Sequence, residues 1–427
     1  MHMRLTASGH SESDPASHHD NLDCFDSTYH PWNTTRVGPQ KDIVGTWEKL
    51  VRSRGLRFCV SNYAAHAWHW LQTAYGYAPE GPLAGIRYDA YTTTRRDGRG
   101  KWWDGLDPLE LYAGRNIVMP DGIKTIAEAK KWHAANDRIW NEDPPSKGPK
   151  FTRTWYLRCK ELLDKHRLDM LYFDDTELPL GQTGLDITAH YYNVNLKWHS
   201  GSQEAVVAAK EFTPARSGEA MLDIECGRAQ GILQAPWQTD TCIGDWHYSR
   251  PLFEEHKYKT PSMVAQILVD IVSKNGNLML NIPVRGDGTI DEDEYAFLET
   301  FGRWMAVHGE AIYGTRPFKV YGEGPQDVNG SPNFKEVGIR PLDANDVRYT
   351  QKGNVFYAFI FGWPEDGRAH FKSLRQNIPF HPETVRSVEL LGMLGKLFFK
   401  QSTEDLVISL PPRPENHLDA FAFRIQS

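Results

Sequence analysis

The segment "LDMLYFDDTELPLG", residues 169–182, runs from apolar residues straight into two adjacent carboxylates, Asp174 and Asp175. Folding alone gives no reason to end an apolar run on two charges, whereas strand ends in α/β barrels are where catalytic groups stand. Side chains alternate along a strand, so only one of the pair faces along a barrel axis. The plainer reading is an Asp that caps the next turn. The Tyr172-Phe173 pair before it and the second acid after it favour chemistry. Two carboxylates flanking a glycosidic bond can cleave it, one as nucleophile and one as acid then base, held roughly 5 Å apart in retaining enzymes. The partner must arrive from another loop. Asp223 and Glu225 in "MLDIECG" and Asp240 in "PWQTDTC" all qualify. Glu225 stands between Ile224 and Cys226, a setting in which partial burial lifts a carboxyl toward the range of a general acid.

Rings and imidazoles supply the rest of a polar, ring-shaped site. Fourteen Trp, 18 Tyr and 19 Phe fall largely in clusters, among them "HAWHW" (66–70) and "PWQTDTCIGDWHY" (236–248). Any single Trp is more often core than ligand contact; mixed with His, Asp and Gln, the clusters suit a sugar better than a core does. His18, His19 and Asp20 in "SHHDNLDCF" could in principle ligate a metal. Adjacent histidines rarely face one ion, and no third and fourth ligand stands at a suitable spacing, so hydrogen bonding to sugar hydroxyls is preferred. His66 and His69 raise the same choice, and at least one of them is expected to be structural.

The elements that must hold these groups alternate. "DIVGTWEKLVRSRG" has helical apolar spacing and Gly55 as a stop, then "LRFCVS" reads as a strand. The pattern recurs at 154–175 and at 261–283, where Asn275-Gly276 ends the helix before "NLMLNIP". Helix then strand, repeated, means parallel βα units. A further helix follows Asp291, a plausible N-cap with Glu294 three residues on. Residues 71–150 read as long βα loops with a helix at 122–137. After "GEAIYGTRPF" (309–318) only short alternating runs remain, which is the texture of an antiparallel β-sandwich. The expected division is a tail over 1–16, a catalytic (β/α) barrel over 17–312 and a β-sandwich over 313–427.

Composition excludes several classes. With 48 basic and 55 acidic residues the net charge is −7, which argues against a nucleic-acid partner. No apolar run is long enough to span a membrane. The first 20 residues lack the apolar centre of a secretory signal. Cys24, Cys59, Cys159, Cys226 and Cys242 form no CxxC pair, so neither zinc nor a disulfide framework is expected.

Four stretches, "HHDNLDCFDSTYHPWN", "HRLDMLYFDDTELPL", "PWQTDTCIGDWHY" and "VSKNGNLMLNIPVRGDGTIDEDE", together resemble the α-L-fucosidases of glycoside hydrolase family 29, from about residue 18 to the end. The resemblance implies a (β/α)₈-like TIM barrel, N-terminally incomplete here, followed by a C-terminal antiparallel β-sandwich. It implies an exo-acting, retaining hydrolase that removes terminal L-fucose from a fucosylated oligosaccharide or glycoconjugate without a cofactor or metal. Carried over position by position, the nucleophile falls on Asp174, the aromatic beside it on Tyr172, the sugar-holding histidines on His18 and His19, and an aromatic wall on Trp246. Spacing and the "DIE" context favour Glu225 as acid/base. Gln238 stands where other subgroups carry Glu. His66, Trp68 and Trp237 complete the expected sugar contacts. Only 17 residues precede His18, fewer than the resemblance implies, so a truncated, inactive or sugar-binding-only relative is the alternative. A barrel hydrolase for another sugar is a weaker one. Relatives of this kind are often secreted, periplasmic or lysosomal, and nothing in the sequence selects among compartments.

Overall fold

The computed structural model describes residues 2–6, 10–12, 16–18, 20–67, 75–77, 93–111, 149–324, 340–378, 384–414 and 418–427, with short runs between 81 and 89 and between 123 and 135. The chain divides into two compact units, Ser11–Leu222, and Met1–His10 with Asp223–Ser427. The strands are β1 (His2–Thr6), β2 (His10–Glu12), β3 (Arg57–Asn62), β4 (Tyr75–Tyr77), β5 (Arg87–Asp89), β6 (Met170–Thr176), β7 (Val206–Lys210), β8 (Met221–Asp223), β9 (Trp237–Cys242) and β10 (Gly276–Pro283). Then come β11 (Arg316–Glu323), β12 (Val347–Lys352), β13 (Val355–Ile360), β14 (Arg368–Phe371), β15 (Ser387–Leu390), β16 (Phe399–Gln401), β17 (Leu406–Ser409) and β18 (Phe421–Gln426).

In the unit 11–222, β3, β6 and β7 run parallel, Cys59 opposite Met170 and Met170 opposite Val206. The helix Ile43–Arg52 precedes β3. It starts where Asp42 accepts the Gly45 N–H at 2.8 Å and is followed by Gly55 at φ +70°, the left-handed stop foreseen from the sequence. The helix Pro149–His166 precedes β6 and buries Trp155, Cys159, Leu162 and Leu163 against the sheet. The helix Gln182–Trp198, which the apolar pattern had not disclosed, lies between β6 and β7 and buries Ile187, Thr188, Tyr191 and Asn195. The stretch 71–150 holds the β4–β5 hairpin. Most of the helix expected at 122–137 falls outside the described residues.

In the other unit, β9 and β10 are parallel, with Trp237 opposite Gly276. The helix Pro261–Ser273 begins with Thr260 accepting the Met263 N–H and ends before Asn275 at φ +73°, which turns the chain into β10. The residues expected as a tail include β1, whose alternating "HMRLT" pairs antiparallel with β10. The helix Glu292–His308 opens on the capping box read from the sequence, Asp291 and Glu294 bonding each other's N–H at 2.8 and 2.9 Å. The C-terminal β domain has a five-stranded sheet, β11-β12-β13-β18-β15, and a three-stranded sheet, β14-β17-β16, around a core that includes Phe371, Val388, Ile408, Phe421 and Ile425.

A buried ionic cluster joins that domain to the helix Pro261–Ser273. Asp270 has 0% exposure and accepts from Arg348 Nε of β12 at 2.7 Å and Lys274 Nζ at 2.9 Å, with Arg228 Nη1 3.6 Å away. Burial works to raise the Asp270 pKa, but Lys274, Arg348 and Arg228 outweigh it and hold the carboxyl well below the usual carboxylate range. The Trp304 indole adds a bond across the same junction, 2.9 Å to the Ala420 carbonyl.

Candidate active site

Strand β6 delivers the first acid. Met170, Leu171, Tyr172 and Phe173 are buried, and the strand continues through both aspartates to Thr176, past the end expected from the sequence. Its pairing with β7 is irregular between Tyr172 and Thr176, so the acids sit where the ladder loosens. Their surroundings differ: Asp175 is 3% exposed, while the Asp174 side chain keeps 16%.

Lys210, the last residue of β7, pairs with Asp174 Oδ1. Its ammonium also lies 5.8 Å from the Tyr172 ring centre. The Tyr172 hydroxyl donates to the same Oδ1 at 3.4 Å. Tyr172 itself is 0% exposed, and its hydroxyl supports the carboxylate. Glu177, three residues on, is taken up by the fold. It accepts from Thr213 N and Arg216 Nη1 at 2.8 and 2.7 Å. Burial tends to raise its pKa, but those donors win and the carboxyl lies below its usual value.

The histidine segment is anchored on β3. Ala16 N donates to Ser61 O and Tyr63 N to Ser17 O, both at 2.8 Å. A buried guanidinium then fixes the loop. Arg158 donates to both oxygens of Asp23 at 2.6–3.2 Å and to Asn21 Oδ1 at 2.6 Å, and Ser17 Oγ donates to Asp23 as well. Burying this pair is tolerable because the geometry is bidentate and the remaining donors and acceptors are matched. His30 bonds the Asn21 carbonyl through Nε2 at 2.7 Å. Burial, then the Arg158 charge, lower its pKa to about 3, so it stays neutral and Nε2–H is the donor. Half-buried His18 presents its ring to Tyr63 edge-on at 5.0 Å, and Tyr63 stacks on His66 at 4.9 Å. His66 is buried. His18, Tyr63 and His66 thus form one continuous ring cluster, whereas His19 and Trp68 lie outside the described residues. Asp23 and Arg158 were not foreseen; they are 135 positions apart and share no local pattern.

The other unit holds the candidates for the second acid. Glu225 sits in the turn after β8, 8% exposed. The neighbouring backbone is pinned by Ile224 N to Gln238 O and Cys226 N to Asp240 O, at 2.9 and 2.8 Å, with Cys226 at φ +45°. Asp223 is 0% exposed and accepts from Gln238 Nε2 at 3.0 Å, and Asp240 is 1% exposed within β9. Of the three, Glu225 is the acid least enclosed by its own strand. Trp246 follows β9, half-buried, and its carbonyl accepts from Asn281 Nδ2 at 3.2 Å. Trp237 lies in the core of the same unit. It has no exposed surface, its indole donates to Lys274 O at 2.9 Å, and a Cβ at Gly276 would stand 2.6 Å from its ring. The Gly276 of the Asn-Gly pair therefore makes room for a core tryptophan. Among the described residues, no group of three or more His, Cys, Asp or Glu is arranged to hold a metal ion.

Residues 15–310 match the family model described as alpha-L-fucosidase, and residues 342–426 match that of the alpha-L-fucosidase C-terminal domain. The chain is 30% identical to the tissue alpha-L-fucosidase of Homo sapiens over 410 residues, covering 92% of this chain and 66% of that protein. Against the tissue alpha-L-fucosidase of Macaca fascicularis the identity is 25%, with the same coverage. It thus spans 66% of the length of these relatives. Among solved structures, the Thermotoga maritima alpha-fucosidase in complex with fucose aligns at TM-score 0.61 and 20% identity, over 97% of this chain and 75% of that one. A trapped covalent intermediate of a family 29 alpha-L-fucosidase from Bacteroides thetaiotaomicron aligns at TM-score 0.60 and 15% identity, over 98% and 79%. The shared fold is a TIM-like catalytic domain followed by a C-terminal β-sandwich.

Proposed function

The chain belongs to the α-L-fucosidase family, glycoside hydrolase family 29, and from that premise we propose that it removes terminal α-L-fucose from fucosylated glycans with retention of configuration. One observation carries the assignment of the nucleophile: Asp174 stands at a loosened strand end, partly exposed, with Lys210 and Tyr172 both on its Oδ1 oxygen. A partly exposed carboxylate with a cation and a phenol on Oδ1 is suited to act as a nucleophile. Its aspartate neighbour is buried, and the nearest glutamate in sequence is committed to Arg216 and Thr213.

The chemistry proceeds in two displacements. Asp174 Oδ2 attacks the anomeric carbon as the bond to the leaving oxygen breaks, and Glu225 gives that oxygen its proton. Water then attacks the same carbon, Glu225 takes the water's proton, and the electron pair of the ester bond returns to Asp174. By the family resemblance, His18, His19 and His66 hold sugar hydroxyls, and Trp68 and Trp246 contact the sugar. His18 is oriented through the Asp23–Arg158 pair that fixes its loop.

The test is hydrolysis of a nitrophenyl α-L-fucoside followed by proton NMR. The first sugar released is expected to be the α anomer, and Asp174→Asn is expected to abolish release. First appearance of the β anomer, or undiminished turnover by Asp174→Asn, refutes the reading.

A further inference from the structure

We propose that Lys210 sets the balance between the two displacements, slowing attack by Asp174 and speeding release of the fucosyl-enzyme. This rests on Asp174 being the nucleophile. Lys210 is 9% exposed, closes β7, and pairs with Oδ1, the oxygen that also receives the Tyr172 hydroxyl. With its stem in a strand and its ammonium 5.8 Å from the Tyr172 ring centre, it has little freedom to leave.

The consequence follows from charge. Before reaction the carboxylate is −1 and Lys210 is +1, and in a partly desolvated site that attraction stabilises the ionised form. Attack converts the carboxylate into a neutral ester: the Oδ2–carbon bond forms, the bond to the departing oxygen breaks, and Oδ1 becomes the ester carbonyl. Lys210 then loses the full charge it was paired with. The first transition state, in which that charge is partly spent, is stabilised less than the ground state. In the second displacement the order reverses. Water bonds to carbon, the Oδ2–carbon bond breaks, and negative charge returns to a carboxylate that already has a cation on Oδ1. A preorganised cation aimed at developing charge lowers a barrier, so Asp174 becomes a better leaving group. Lys210 therefore tunes the nucleophile electrostatically while taking no proton.

Lys210→Met keeps the stem and removes the charge. With a dinitrophenyl α-L-fucoside in stopped flow, the variant should show a burst of one equivalent of phenolate. A slower steady state should follow, with kcat down about tenfold or more and KM down in proportion, because the ester accumulates. Lys210→Arg should restore most of kcat. A fall in kcat with no burst and unchanged KM is what a merely structural lysine would give and overturns the proposal, as do unchanged kinetics. A 2-fluoro fucosyl donor separates the two levels of the argument. An adduct on a carboxylate other than Asp174 sinks the nucleophile assignment, whereas an Asp174 adduct of equal lifetime in both proteins sinks only the role of Lys210.

Discussion

Asp174 and Asp270 each pair with a lysine, yet the molecule uses them oppositely. Asp270 is fully enclosed, with Arg348 and Lys274 within 2.9 Å and Arg228 at 3.6 Å. Asp174 Oδ1 meets an ammonium and a phenol, and 16% of its side chain reaches solvent. Three cations around a desolvated carboxylate fix both oxygens and bind a sandwich strand to a barrel helix. The Asp174 carboxylate, at a strand end, keeps part of its side chain exposed to solvent. On the proposed assignment, burial, and not the Asp–Lys pairing itself, separates a structural carboxylate from a reactive one.

The comparison breaks first on activity. Asp174→Asn should lower turnover on the order of 10³-fold or more while leaving the melting temperature nearly unchanged. Asp270→Asn should do the reverse. Removing the anion from a buried cluster leaves Arg348 and Lys274 uncompensated and should lower unfolding free energy by about 3–5 kcal/mol in urea titration. If Asp270→Asn unfolds like the parent, the cluster is not a structural lock.

Acid titration sharpens the same contrast. The native Asp270 pKa lies below its unfolded value, roughly 3.9 in a free chain. Its stabilisation is therefore complete above that unfolded value and lost as pH falls through the native one. The stability gap between parent and Asp270→Asn should be constant from about pH 5 to 8 and shrink only below about pH 4. A gap that closes already at neutral pH would mean that Asp270 is not held ionised.

Lys274→Met should cost less, about 1–3 kcal/mol, because Asp270 keeps Arg348 and Arg228. A loss as large as that of Asp270→Asn would show that the cluster depends on its lysine alone. Smallest of all is Arg250→Ala. Its bond to Glu254 is short at 2.7 Å, but 78% of the arginine side chain is exposed. Solvent screening should leave the urea midpoint indistinguishable from the parent's, and a clear shift would deny that burial is what distinguishes these pairs.

Much of this was legible in the residues. The helix-then-strand rhythm at Ile43–Asn62, the capping box at Asp291 and Glu294, and the change of texture near residue 313 are local patterns, and each appears as an element. The helix Gln182–Trp198 escaped because its buried face includes Thr188 and Asn195, which dilute the apolar period. The Asn195 side-chain oxygen Oδ1 accepts the N–H groups of Glu204 and Ala205, a tertiary reason for a polar core residue. At the site, Asp174 and His18 announced themselves by neighbours in sequence. Lys210 and the Asp23–Arg158 pair did not, since strand pairing and a helix bring them to their partners from 36 and 135 positions away. The burial of Tyr172 and Trp237 was not legible either. An aromatic near an acid looks like a sugar platform until its burial is known, and both rings prove to be enclosed, one supporting Asp174 and the other filling space beside Gly276.

The central claim is that Asp174, and neither Asp175 nor an acid from residues 223–240, forms the covalent bond to fucose. Incubation with 2-fluoro fucosyl fluoride, digestion and peptide mass spectrometry read this directly. The expected result is one added 2-fluorofucosyl group on the peptide carrying residues 170–176, localised to Asp174 and absent from Asp174→Asn. Labelling of Asp175, Asp223, Glu225 or Asp240 in its place, or labelling that persists in Asp174→Asn, would contradict the account.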